Sequence, residues 1–151
     1  MKLFLSLLIT LAVGGIAGFA TSTAIDTWYV SLNKPSFNPP NYLFAPVWTV
    51  LYIFMGIALY LIWKLPETKK RDNAMIVFFV QLCLNFCWSL IFFNMQEIGL
   101  ALIDIILLLF GIIASIAAFK PLSKTAAWLL FPYLLWVSFA TVLNYAIWQL
   151  N

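Results

Sequence analysis

WYVSLNKPSFNPPNYLFAPVWTVLY, Trp28 to Tyr52, is the stretch on which the reading of this chain turns. It separates long apolar runs, yet it carries almost no charge. Three of the seven prolines fall within six residues, at Pro35, Pro39 and Pro40. Proline lacks a backbone N–H and fixes φ, so that part is irregular chain. A join between two helices needs only a short polar linker. This one holds Trp28, Tyr29, Phe37, Tyr42 and Phe44, aromatic surface that needs something to pack on. We read residues 22–43 as a lid loop over a pocket that opens at one end of a helical bundle.

The composition says what kind of bundle. The chain has 151 residues, 65% hydrophobic and 9% charged. A soluble domain is about half apolar and a quarter charged. The excess is too large for one small core, so lipid is the solvent. The apolar runs are about 20 residues long, the length of a spanning helix, and they do not alternate as barrel strands would. The predicted fold is all-α: a polytopic membrane protein, a single domain of five transmembrane helices at about 3–21, 44–63, 74–93, 98–119 and 126–148. Pro46 fits the first turn of the second helix, and Pro132 marks a kink in the fifth.

The first segment is read as a retained helix, because its apolar run exceeds the usual 7–15 residues of a signal peptide core. Gly14 and Gly18 in it form a GxxxG pair, either a close internal helix contact or a dimer face. Alternating helices put Lys2, Lys64, Lys69, Lys70, Arg71, Lys120 and Lys124 at one end, and Lys34 alone at the other. The positive-inside rule then places the N-terminus in the cytoplasm, with the lid loop and C-terminus outside. A bacterial cell membrane is the expected location. No basic run suggests nucleic acid.

There is no histidine, which removes Ser-His-Asp and Cys-His catalysis and imidazole metal ligands. No metal or cofactor is expected. Cys83 and Cys87 lie within one apolar helix and read as small hydrophobes.

Function is sought where polar and aromatic side chains share a helical face. Gln81, Asn85, Trp88 and Phe92 do so in the third helix, and Trp48, Tyr52 and Met55 in the second. Tyr133, Trp136, Ala140, Leu143 and Asn144 do so in the fifth. At about 1.5 Å per residue, Asn85, Tyr52 and Ala140 each lie roughly 12 Å from the lid end of their helices, and Asp104 about 9 Å. Trp48, Trp88 and Phe92 lie closer to the lid. Packing explains any one of these residues, but the shared depth points to an aromatic-walled pocket. Asp104 is the one ionisable residue well inside a span, either a hydrogen-bond hub or a pocket wall. Lys34 is a candidate partner for an acidic ligand group or for Asp26.

Five motifs in order make the chain resemble the TspO/MBR family of tryptophan-rich sensory and translocator proteins. They are WYxxLxKPxFxPP (28–40), PxWxxLYxxMG (46–56), QLxLNFxW (81–88), ALxD (101–104) and AAWLLxPYLxWxxFATxLNxxxW (126–148). The resemblance implies a five-helix bundle, a homodimer embedded in membrane lipid, that binds porphyrins and benzodiazepine-site ligands. It carries ligand-binding positions onto Tyr29, Trp48, Asn85, Trp88, Trp136 and Ala140. It also implies Pro39, Phe44, Tyr52, Gln81, Phe92 and Asp104. The family's sterol motif needs a basic residue after Tyr145, and Gln149 to Asn151 supply none, so cholesterol is not expected as a partner.

The function expected from all this is a membrane receptor or sensor for tetrapyrroles and other hydrophobic ligands. One alternative is an enzyme degrading porphyrin with light and oxygen, using Trp48 and Trp136. The other is a transporter of porphyrin or lipid, for which the chain lacks the usual internal repeat.

Overall fold

The computed structural model describes all 151 residues, and they are almost wholly helical. The helices are α1 (Lys2–Asp26), α2 (Phe44–Trp63), α3 (Lys69–Ser89), α4 (Ile98–Phe119), α5 (Lys124–Leu129) and α6 (Phe131–Leu150). With α5 and α6 taken together, five spans are long and apolar enough to cross a membrane. The last span breaks at Leu130, just before Pro132, whose ring cannot continue the ladder of the preceding turn. The predicted fold class and the kink both match.

Three helix ends lie outside the predicted bounds. α1 runs to Asp26 and not to residue 21, its backbone ladder continuing until the Thr27 N–H bonds Thr23 O at 3.1 Å. Thr21 Oγ1 reaches Ala17 O at 2.8 Å and Ser22 Oγ reaches Phe19 O at 3.0 Å. The loop therefore starts near residue 27, not 22. α3 begins at Lys69 and not at residue 74, because the Thr68 side chain caps the Arg71 N–H at 3.1 Å. Arg71, one of the basic residues that mark this end of the bundle, is buried. Its guanidinium donates to Trp63 O at 3.1 Å and Leu65 O at 2.9 Å, satisfying carbonyls at the end of α2. Ser123 caps α5 in the same way, at 3.2 Å to the Ala126 N–H, so the last span starts at Lys124.

The core follows helical spacing. Met55, Leu59 and Ile62 of α2 meet Phe78 and Leu82 of α3, Ile105, Leu108 and Ile112 of α4, and Tyr133 and Val137 of α6. α1 is different. Its buried residues are Ser6, Thr10, Ala17 and Thr21, while Phe4, Leu8, Ile16 and Phe19 are exposed. Lipid is as apolar as a leucine side chain, so nothing drives large apolar residues inward, and small ones let backbones approach. Thr10 Oγ1 accordingly donates to the Tyr52 backbone carbonyl at 2.8 Å, which pins α1 to α2. A side chain at Gly14 would overlap the Tyr52 ring, whereas Gly18 faces open space. Gly14 is thus an internal helix contact.

Candidate functional site

α3 does not end as a plain helix. Leu90–Asn94 form a π turn, and the Met95 N–H donates to Leu90 O at 2.9 Å. Phe92 and Phe93, both within this turn, are buried.

These two rings join a run of aromatics at the loop end of the bundle. Trp48 meets Trp136 nearly at right angles, ring centroids 6.5 Å apart. Trp136 meets Phe44 at 6.4 Å, Phe44 meets Tyr29 at 6.1 Å, and Tyr29 meets Phe92 at 6.1 Å. Phe92 then meets Trp88 at 5.4 Å. The rings enclose a cavity of about 90 Å³, completed by Ile25, Ser89, Phe139, Ala140, Leu143, Asn144 and Ile147.

The loop is fastened to this end of the bundle through specific contacts. Tyr29 is buried and its hydroxyl donates to Asn38 Oδ1 at 2.7 Å. Phe37 packs edge-on against Phe139 at 6.2 Å. Asn33 and Asn151 exchange bonds: the Asn33 N–H donates to Asn151 Oδ1 at 3.2 Å, and Asn151 Nδ2 to Asn33 O at 2.9 Å. Burial pushes the Tyr29 phenol from about 10 up to about 12, against the opposing effect of the Asn38 bond. Tyr29 therefore stays a neutral donor across the neutral range. Its folded pKa lies above the unfolded one, so its contribution is constant below about pH 10 and is lost as pH rises towards about 12. The wild-type melting temperature should fall more steeply across that window than that of Tyr29→Phe. Parallel curves would refute the assignment.

Of the residues singled out in the sequence, Tyr29, Phe44, Trp48, Trp88, Phe92, Trp136, Ala140, Leu143 and Asn144 line this cavity. The others do not line it. The Tyr52 hydroxyl donates to Asn85 Oδ1 at 2.5 Å, Asn85 Nδ2 to the Tyr133 hydroxyl at 2.8 Å, and that hydroxyl to Gln81 Oε1 at 2.7 Å. This buried chain joins α2, α3 and α6 deeper in the bundle, where each polar group needs a partner. Tyr52 also borders a larger groove of about 430 Å³ along Gly14, Gly15 and Gly18 of α1, with Trp48 and Ser89 lining both spaces. Asp104 is buried on α4 with Oδ2 unpartnered and is not a lining residue.

Pro39 lies in the loop away from the lining, its carbonyl accepting from Asn38 Nδ2 at 3.2 Å. Lys34 does not pair with Asp26. Its ammonium donates to Tyr29 O at 2.9 Å and Leu32 O at 3.1 Å and sits 5.0 Å from the Tyr29 ring centre. It thereby ties down the 3₁₀ turn Tyr29–Ser31. Ile25, Phe93, Phe139 and Ile147 were not legible as lining residues. Plain apolar residues in an apolar segment carry no sign of which way they face.

A bundle of five spans with an aromatic-walled cavity at one end defines a multi-pass integral membrane protein. The TspO/MBR family model matches residues 6–149. The chain is 44% identical to the tryptophan-rich protein TspO of Archaeoglobus fulgidus, over 100% of this chain and 97% of the relative. It is 45% identical to the TspO of Chlorobaculum tepidum, over 100% and 96%. It is 41% identical to the human translocator protein, over 82% of this chain and 75% of that one. The chain belongs to the TspO/MBR family.

Proposed function

We propose that the chain is a membrane receptor or sensor that binds a planar hydrophobic ligand of the tetrapyrrole class in this cavity, beneath the Pro-rich loop. Compact drug-like ligands with an aromatic body are a second class that the same aromatic side chains would contact. The observation that carries the reading is the continuous aromatic lining from Trp48 to Trp88, which offers ring faces and edges to a macrocycle. Trp136 Nε1 is buried without a protein partner, so it is available to a ligand acceptor. A cavity of about 90 Å³ is well below the about 300–1,000 Å³ of sites for drug-sized ligands. Binding a tetrapyrrole therefore requires the loop and its aromatic side chains to move.

The test is a protoporphyrin titration followed by tryptophan fluorescence quenching. Saturable quenching is expected, with roughly 2- to 10-fold weaker binding in Trp48→Phe and Trp136→Phe. With no histidine in the chain, metal-free and iron-loaded porphyrin should bind alike. Non-saturable quenching, or strict dependence on iron, would sink the reading.

The contact between Trp48 and Trp136 favours a second reading, in which these oxidisable side chains support light-driven breakdown of bound porphyrin with dioxygen as oxidant. Porphyrin absorbance should then decay under light and air but not in nitrogen. Decay at an unchanged rate in the Trp48→Phe/Trp136→Phe double variant would exclude them from that chemistry. For topology, seven basic residues at one end against Lys34 at the other support a cytoplasmic N-terminus.

A further inference from the structure

We propose that Asn144 is a positioning residue of the cavity: it holds the Trp88 indole in place as a wall and ties that wall to the start of α4. Asn144 lies on α6 and is 1% exposed. Its Oδ1 accepts from Trp88 Nε1 at 3.0 Å, and its Nδ2 donates to the Ile98 carbonyl at 3.1 Å. An indole N–H can only donate and a carbonyl can only accept, so one orientation of the carboxamide satisfies both. The amide is planar, and fixing one end therefore fixes the other. Leucine would offer neither group. Aspartate would turn an oxygen towards the Ile98 carbonyl.

The placement gives this clamp its consequence. Trp88 lies two residues before the π turn, and its ring contacts Phe92 at 5.4 Å and Phe93 at 6.0 Å, both in the lining. Ile98 opens α4, directly after the connection that follows the π turn. Asn144 thus sets three elements relative to the cavity from one side chain. Without it the Trp88 N–H has no partner in apolar surroundings, and the indole must rotate to find one. The rotation would alter the face offered to a ligand.

The consequence for binding rests on the function proposed above, but the clamp is also testable without ligand. Protein labelled with ¹⁵N at the tryptophan indoles would show the Trp88 resonance as the one lost in Trp88→Phe. In Asn144→Leu that resonance should move upfield while the other six stay in place. Asn144→Ala, which adds no bulk, serves the same purpose if the leucine variant does not fold. Protoporphyrin affinity should fall roughly 2- to 10-fold in Asn144→Leu. It should fall no further when the same change is made in a Trp88→Phe background, which has no N–H to hold. An unmoved Trp88 resonance, or an equal loss in both backgrounds, would overturn the proposal. Absence of any protoporphyrin binding by the wild type would refute the ligand reading alone, and the resonance would still decide the clamp.

Discussion

Replacing Gly56 with valine is expected to cost the bundle at least about 3 kcal/mol, because overpacking by a single buried group already costs about 1–3 kcal/mol and valine adds three carbons. A Cβ at Gly56 would lie 2.8 Å from Leu7 Cδ2 and Thr10 Oγ1 and 3.0 Å from Leu7 Cα. The side-chain atoms can turn away, but the Leu7 backbone can yield only if α1 moves. Moving α1 stretches the 2.8 Å bond from Thr10 Oγ1 to Tyr52 O, a main polar tie between α1 and α2. For a chain of this size each kcal/mol lowers the melting temperature by about 2–4 °C, so a fall of about 6–12 °C is expected. Gly18→Val is the control. Nothing lies within 4 Å of a Cβ there, so it should melt with the wild type. A Gly56→Val protein that melts with them would show that α1 is not clamped at this point.

The second large effect concerns binding. Ala140→Leu is expected to weaken protoporphyrin binding about 5- to 150-fold, the equivalent of about 1–3 kcal/mol of overpacking, while leaving the melting temperature unchanged or slightly raised. Ala140 is buried in the wall of a cavity of only about 90 Å³, next to Trp136, Phe139 and Leu143. Leucine adds three heavy atoms to that space. In the free protein they fill a void, which is favourable. With ligand bound, they compete for the same volume. Val142→Leu, on the exposed side of α6, should leave affinity as it is. Equal affinities in Ala140→Leu and wild type would place the ligand elsewhere, with the α1–α2 groove as the next site to probe.

The two predictions differ in how far they were legible beforehand. Ala140 was within reach of sequence reasoning, because helical period and depth along the span are local quantities. The same reasoning reached Trp48, Trp88, Phe92 and Trp136. Gly56 was not. In a soluble helix an inward face announces itself by being apolar, but here both faces are apolar, and only the neighbouring helix shows which glycine it needs. The same holds for Ser6, Thr10 and Thr21, whose burial reverses the rule that applies in water.

The sequence by itself determined the number of spans, the end that carries the basic residues, the break near Pro132 and most of the aromatic set around the cavity. Those features rest on hydropathy, charge and spacing along one chain. Tertiary structure alone decided which polar groups meet. Tyr52, Asn85, Tyr133 and Gln81 share a face with the lining aromatics but bond to one another beneath them. Lys34 caps a turn and does not reach Asp26. Asn144 finds Trp88 and Ile98 across two helices. A hydrogen bond requires its partners within about 3 Å. That depends on the rotation of each helix about its axis, which neighbours set and a single segment does not encode. The Trp28–Pro40 loop belongs to both sides: its prolines and aromatics marked it as more than a tether, and its bonds to Asn151 fasten it to the end of α6.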